Sequence, residues 1–120
     1  MEKVTIDDIR KAQDTIKDIV KRTDILESTK LSLLTNANIY YKCENLQKTG
    51  SFKVRGACNK IANLTEEEKS KGVIASSAGN HAQGVALGAK MNNIEATIVM
   101  PSTAPLAKVT ATKSYGANVV

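Results

Sequence analysis

Three short apolar segments that alternate with two helical patterns constrain the fold of this chain more than any other feature. The apolar segments are residues 73–76, 96–100 and 117–120, and residues 79–91 and 105–115 between them have the length and composition of helices. Strands and helices that alternate with such short connections are typical of a parallel sheet covered by helices. We therefore predict an α/β fold from residue 73 onward.

The first 72 residues lack that alternation and predict separate elements. Residues 6–22 predict an amphipathic helix with Thr5 as its N-cap, because apolar residues recur every three or four positions. We expect residues 24–38 to form an extended link, 39–44 a short strand and 54–64 a helix. Thr65 and Glu68 have the spacing of a capping box, which predicts a short helix that ends at Gly72.

The net charge of +5 over 120 residues raises the possibility of nucleic-acid binding, but the lysines are scattered from Lys3 to Lys113. One Phe, three Tyr and no Trp offer few side chains to stack on bases, so we expect no nucleic-acid partner. An anionic cofactor or substrate suits the charge equally well. No apolar run approaches the ~20 residues of a membrane span, and the polar first residues favour a cytoplasmic location.

Lys53 is the first candidate functional residue, because it follows a polar loop and precedes the predicted helix of residues 54–64. A lysine at such a junction can be partly desolvated, which favours the neutral amine that forms Schiff bases with aldehydes. The alternative is a solvated lysine at a helix start, and this stretch alone favours that alternative because most lysines are exposed. Cys43 and Cys58 follow no metal-binding spacing, and we expect two buried thiols.

Residues 76–84 form the second candidate stretch, between a predicted strand and the helix that follows it. Ligands of open parallel sheets bind beyond the carboxyl ends of strands, and a helix start favours an anion. This loop of small residues therefore predicts an anion site, although a simple strand-to-helix turn is an equal alternative. His81 is the only histidine. It has no partner at metal-ligand spacing, so packing or hydrogen bonding is the favoured role.

Residues 45–57 and 77–84 together resemble the threonine dehydratase family of fold-type II enzymes, which use pyridoxal 5′-phosphate (PLP). The resemblance extends over residues 6–120 and is greater to the catabolic form. It implies that Lys53 binds PLP as a Schiff base and acts as the base at the substrate Cα, that Phe52 packs beside the ring, and that Asn80 hydrogen-bonds the 3′-oxygen. Further implied are dehydration and deamination of threonine, or serine, and a carboxylate site formed by four residues: Ser77, Gly79, Asn80 and His81.

The resemblance also implies a division into residues 1–47, part of a large domain, and 48–120, part of a small α/β domain. The glycine-rich loop for the PLP phosphate would lie beyond residue 120, and the sequence stops inside an apparent strand. We therefore expect part of a longer protein, with weak or no activity in the 120 residues alone, and the resemblance implies that the longer protein is a homo-oligomer. The alternative is a non-catalytic remnant, or a small-domain module that binds an anion or a nucleotide.

Two further implications concern specificity and regulation. Family members that racemise serine usually have serine where this chain has Ala78, so the alanine favours dehydration over racemisation. Catabolic members are activated by AMP at a subunit interface, which points to Lys48, Thr49, Gln83 and Ser114. The alternative for these four is that they are ordinary surface residues.

Overall fold

The computed structural model describes residues 3–120, which form six α-helices, five strands and one 3-10 helix. The helices are α1 (Ile6–Ile16), α2 (Thr29–Thr35), α3 (Lys53–Ala62), α4 (Glu66–Ser70), α5 (Asn80–Met91) and α6 (Leu106–Ser114). The strands are β1 (Ile25–Glu27), β2 (Tyr40–Lys42), β3 (Val73–Ser76), β4 (Ala96–Val99) and β5 (Asn118–Val119), and the 3-10 helix spans Glu44–Leu46.

The predicted parallel sheet is confirmed, with strand order β3–β4–β5. Val73 pairs with Ala96 at one end of the β3–β4 ladder, and Ile98 pairs with Val119 between β4 and β5. Helix α5 packs on β3 and β4, and α6 packs on β5. The core formed by α3, α5 and the sheet consists mainly of small and branched side chains: Ala57, Ile61, Ala82, Val85, Ala86, Ala89, Ile94, Ala96, Ile98 and Ala117.

Helices α3 and α5 approach each other closely because α5 has glycine where they touch. A Cβ atom at Gly84 would lie 3.2 Å from the carbonyl oxygen of Lys53 and 3.2 Å from the Cβ of Ala57. One turn later, a Cβ at Gly88 would lie 3.0 Å from Cδ1 of Ile61. The contacts advance in the same direction along both helices, so α3 and α5 run parallel and begin at the same end.

The predicted capping box at Thr65 is confirmed. The backbone N–H of Glu68 donates to the Thr65 hydroxyl at 3.2 Å, and the backbone N–H of Thr65 donates to the Glu68 carboxylate at 2.8 Å. Gly72 follows with φ of +76° and lies against the carbonyl oxygen of Glu95, a conformation and a contact that a Cβ would disfavour. Thr5 caps α1 as predicted, with Asp8 completing a second capping box.

The prediction of an extended link over residues 24–38 is wrong. This stretch contains β1, which pairs antiparallel with β2, and the seven-residue helix α2. Asn36 ends α2 in the left-handed conformation, with φ of +52°. Both elements are too short to show a clear periodicity, and β1 depends on pairing with residues 13 or more positions away.

Helix α1 ends at Ile16, although the apolar pattern predicted a helix as far as residue 22. The chain turns there, because the N–H groups of Ile19 and Val20 both donate to the Ile16 carbonyl. The turn places Ile16, Ile19 and Val20 against a cluster of α3 and α5 side chains. Tertiary packing therefore overrides local periodicity here, while Ile6 and Ile9 stay exposed.

Candidate functional site

Lys53 is the first residue of α3, at the loop-to-helix junction that the sequence predicted. Its Nζ atom lies 5.4 Å from the centroid of the Phe52 ring, within range of a cation–π contact. Both side chains are exposed, and Phe52 retains 59% of its accessible surface. The solvated alternative therefore describes Lys53 in this chain, because no described segment covers the amine.

The loop that delivers Lys53 is anchored on both sides. The Gln47 amide donates to the Lys21 carbonyl at 2.7 Å and accepts from the Lys21 N–H at 3.1 Å. The Tyr115 hydroxyl donates to the Lys48 carbonyl at 2.8 Å. Within residues 3–120, the buried hydroxyls of Thr49 and Ser51 have no hydrogen-bond partner. An unpaired buried hydroxyl is costly, so these two groups lower the stability of the loop as it stands in this chain.

A charged network connects α3 to the N-terminal segment, two residues beyond Lys53. The Arg55 guanidinium donates two hydrogen bonds of 2.8 Å to the Glu44 carboxylate. The Thr23 hydroxyl donates a third, of 2.6 Å. The hydrogen bonds from Arg55, followed by that from Thr23, lower the pKa of Glu44 to about 2, against the opposing effect of burial. The network joins the predicted divisions 1–47 and 48–120.

The loop after β3 leads into α5 without a side-chain cap. Gly79 occupies the N-cap position, and its N–H donates to the Ser77 hydroxyl at 3.3 Å. The first N–H groups of a helix have no intrahelical acceptor, and the helix dipole adds positive potential there. In electrostatic terms the start of α5 therefore suits a carboxylate or phosphate group.

The parallel packing of α3 and α5 brings the two predicted stretches together. Gly84 of α5 faces Ala57 of α3. Gly84 lies four residues after Asn80, the first residue of α5, and Ala57 lies four residues after Lys53, the first residue of α3. Lys53 and Asn80 therefore lie at the same end of the helix pair and at similar height. The Lys53 amine and an uncapped helix start therefore share one end of the helix pair.

Lys108, which no sequence pattern singled out, contacts one of the predicted site residues. Its Nζ atom donates to Oδ1 of Asn80 at 2.9 Å, across 28 residues of sequence. The order of strands and helices could have predicted this contact. Asn80 follows β3 and Lys108 follows β4, and the carboxyl ends of adjacent parallel strands meet at one edge of the sheet.

The remaining predicted residues have different surroundings. His81 is exposed and lines a groove of about 250 Å³ between α3 and β3. Thr49 and Gln83 are buried, so the interpretation of them as ordinary surface residues is wrong. Lys48 and Ser114 are exposed, and the Ser114 hydroxyl donates to the Ala111 carbonyl of its own helix.

The two cysteines differ from each other, which makes the prediction of two buried thiols half wrong. Cys58 is fully buried, and burial raises the pKa of its thiol to about 11. Cys43 is only half-buried. Among residues 3–120, no three His, Cys, Asp or Glu side chains are grouped so as to hold a metal ion. No helix in the same range has the length and hydrophobicity that crossing a membrane requires.

A family model described as "Pyridoxal-phosphate dependent enzyme" matches residues 16–120. The match covers most of the sequence, and the chain belongs to this family of pyridoxal-phosphate-dependent enzymes. Membership of this family confirms the predicted fold-type II α/β architecture and the predicted cofactor, PLP.

Similar proteins refine the comparison. The chain is 59% identical over 117 residues to L-threonine ammonia-lyase of Thermotoga maritima, covering 98% of this chain and 29% of that protein. It is 57% identical over 118 residues to L-threonine dehydratase catabolic TdcB of Staphylococcus aureus, covering 98% and 34%. The structure of maize serine racemase superposes with a TM-score of 0.90 at 45% identity, covering 98% and 36%. The predicted resemblance to threonine dehydratases is confirmed, and the chain spans about a third of the length of these proteins.

Proposed function

We propose that this chain forms the lysine-bearing part of a PLP-dependent threonine ammonia-lyase, which converts L-threonine to 2-oxobutanoate and ammonia, and L-serine to pyruvate and ammonia. The observation that carries the proposal is the common end of α3 and α5, where Lys53 and Asn80 lie at similar height. The threonine ammonia-lyase and threonine dehydratase relatives, at 57–59% identity, support the same substrate class.

The described side chains fit the cofactor. The exposed amine of Lys53 is open to an aldehyde, and the Asn80 amide lies at the same end of the helix pair. The Phe52 ring lies beside the amine, where it could pack against a flat aromatic group. PLP, when bound, supplies the electron sink for carbanion formation at the substrate Cα.

The chain's own residues would perform the remaining tasks. The Lys53 amine would hold the cofactor covalently and then take the proton from the substrate Cα. The uncapped start of α5, with Ser77, Gly79, Asn80 and His81, would bind the substrate carboxylate. The Asn80 amide would donate to the cofactor's 3′-oxygen. Because the described residues leave Lys53 open to water, we expect little or no threonine turnover by the 120 residues alone.

Borohydride trapping tests this proposal. We expect incubation with PLP followed by reduction to add one pyridoxyl group to Lys53. The Lys53→Ala variant should carry at least about ten-fold less pyridoxyl label than wild type. Intact mass and peptide mapping give the measurement. Lys60→Ala is the matched control, since Lys60 is an exposed lysine of the same helix. Labels spread evenly over exposed lysines would instead support the alternative, a non-catalytic module that binds an anion or a nucleotide.

Serine racemisation is the second candidate activity, favoured by the similarity to maize serine racemase. We propose that Ala78 disfavours it, because alanine offers no second acid or base. In the whole enzyme of which we propose this chain to be a part, loaded with PLP, Ala78→Ser should raise the ratio of D-serine formed to pyruvate formed by about 100-fold, the size of one general acid–base group. Chiral chromatography of the products measures that ratio, and an unchanged ratio would contradict the assignment.

Regulation and assembly stay predictions. The predicted site for AMP combines the exposed residues Lys48 and Ser114 with Thr49 and Gln83, which are buried in this chain. Tyr115, next to the predicted Ser114, is the residue that contacts the Lys48 carbonyl. Homo-oligomeric assembly, a cytoplasmic location and the division at residues 47 and 48 are likewise predictions.

A further inference from the structure

Lys108 reaches from α6 to the start of α5 and contacts one atom of the proposed site. Its ammonium group donates to Asn80 Oδ1 at 2.9 Å. The backbone of Lys108 is itself fixed, because its N–H donates to the Pro105 carbonyl at 2.8 Å and its carbonyl accepts from the Thr112 hydroxyl at 2.8 Å. Thr112 is completely buried. The backbone of Lys108 is therefore held against a buried residue, and its side chain reaches Asn80 at the protein surface.

The chemistry of the two groups determines how the Asn80 amide is turned. A lysine ammonium has three donors and no acceptor, whereas an asparagine amide has an oxygen acceptor at one end and an NH₂ donor at the other. Only the oxygen can face Lys108, since the flipped amide would place N–H groups against an ammonium. The NH₂ group must then point away from Lys108, with its two protons free to donate.

We infer that Lys108 is a positioning residue, which holds the Asn80 amide with its NH₂ group presented to the ligand. This inference rests on the proposed function, in which Asn80 donates to the 3′-oxygen of PLP. That oxygen is an acceptor, so it requires the NH₂ end and is repelled by the amide oxygen. Lys108 thereby selects the one amide orientation that the cofactor can use, without contacting the cofactor itself.

Three variants test this inference. Lys108→Met keeps the aliphatic stem and removes the donor, and Lys108→Arg restores a donor-only cation. Lys113→Met is the matched control, because Lys113 is an exposed lysine at the far end of the same helix. The first readout is the side-chain amide resonance of Asn80 in the ¹H–¹⁵N spectrum of the cofactor-free chain. The second is the apparent Kd for PLP, from the absorbance of the Schiff base with Lys53.

We expect Lys108→Met to shift the Asn80 amide resonance and to raise the apparent Kd about ten-fold, the effect of losing one charge-assisted hydrogen bond. Lys108→Arg should restore both, and Lys113→Met should change neither. An unmoved Asn80 resonance in Lys108→Met would overturn the inference. The inference would also be overturned if Lys108→Met left the Kd for PLP unchanged while Asn80→Ala raised it.

Different results would show that the proposed function itself is wrong. Wild-type protein that forms no Schiff base at Lys53, or an Asn80→Ala variant that binds PLP as wild type does, would overturn the role of the site for the cofactor. Either result would overturn the link between Lys108 and PLP as well. Both are read from proteins that retain Lys108, so they cannot be mistaken for an effect of its removal.

Discussion

Replacing Gly84 with valine should lower the free energy of unfolding by about 2 kcal/mol, the usual cost of overpacking. The new Cβ would lie 3.2 Å from the carbonyl oxygen of Lys53, a backbone atom that can yield only if α3 moves. Valine then adds two methyl groups in the same tight space. The midpoint of urea unfolding measures the loss, and borohydride trapping at Lys53 should weaken as the two helix starts separate.

Gly56→Val is the matched control for this prediction. Gly56 is also a helical glycine, it lies on α3, and a Cβ there would meet no atom within 4 Å. Since valine has a slightly better helix propensity than glycine, this variant should be as stable as wild type or a few tenths of a kcal/mol more stable. Equal stability of the Gly84→Val protein would show that the α3–α5 contact is not as close as described.

Replacing Glu44 with glutamine should cost about 2 kcal/mol at neutral pH. The substitution keeps the shape but leaves Arg55 without its anionic partner. Loss of one member of a fully buried pair costs about 3–5 kcal/mol, and the expectation is smaller because 34% of the Arg55 side chain is exposed to screening water. Glu66→Gln is the control: Glu66 pairs with Lys69 but is 90% exposed, so its effect should stay within about 0.5 kcal/mol.

The same pair predicts a pH dependence. The pKa of Glu44 is lowered from its ordinary value of 4.5 to about 2, so folding is favoured by the ionised carboxylate. This contribution is complete above pH 4.5 and is lost as the pH falls toward 2. Urea unfolding between pH 6 and 2 should therefore show a shallower acid loss in Glu44→Gln than in wild type.

Asp8 and Glu68 serve as internal references in that comparison. The capping hydrogen bonds with Thr5 and Thr65 lower their pKa values, and both proteins retain them. The difference between the two pH profiles therefore isolates Glu44. Identical profiles would mean that the Glu44 carboxylate is not stabilised by Arg55.

Local sequence patterns correctly predicted the elements whose caps and apolar segments are clear in the sequence. The capping box at Thr65, the end at Gly72 and the alternation from β3 to β5 each depend on residues close in sequence, and the structure has them as predicted. Residues 24–38 had no such signal. Their strand is stable only because β2 pairs with it, and their helix is seven residues long.

In the candidate site, too, the sequence determined some features and the tertiary structure determined others. The sequence by itself determined which residues carry chemistry: an amine at a helix start in Lys53, and a loop of small residues before Asn80. Their positions at a common end follow from packing, because Gly84 and Gly88 allow α3 and α5 to run in contact and parallel.

Three features were decided only by the tertiary structure. Lys53 is exposed, Thr49 and Gln83 are buried, and Lys108 meets Asn80 across 28 residues. Burial and long-range hydrogen bonds depend on which surfaces the fold brings together, and that information is not contained in the period of any one segment. The sequence determined the chemical groups and most of the elements, and the tertiary structure determined their exposure, their orientation and their partners.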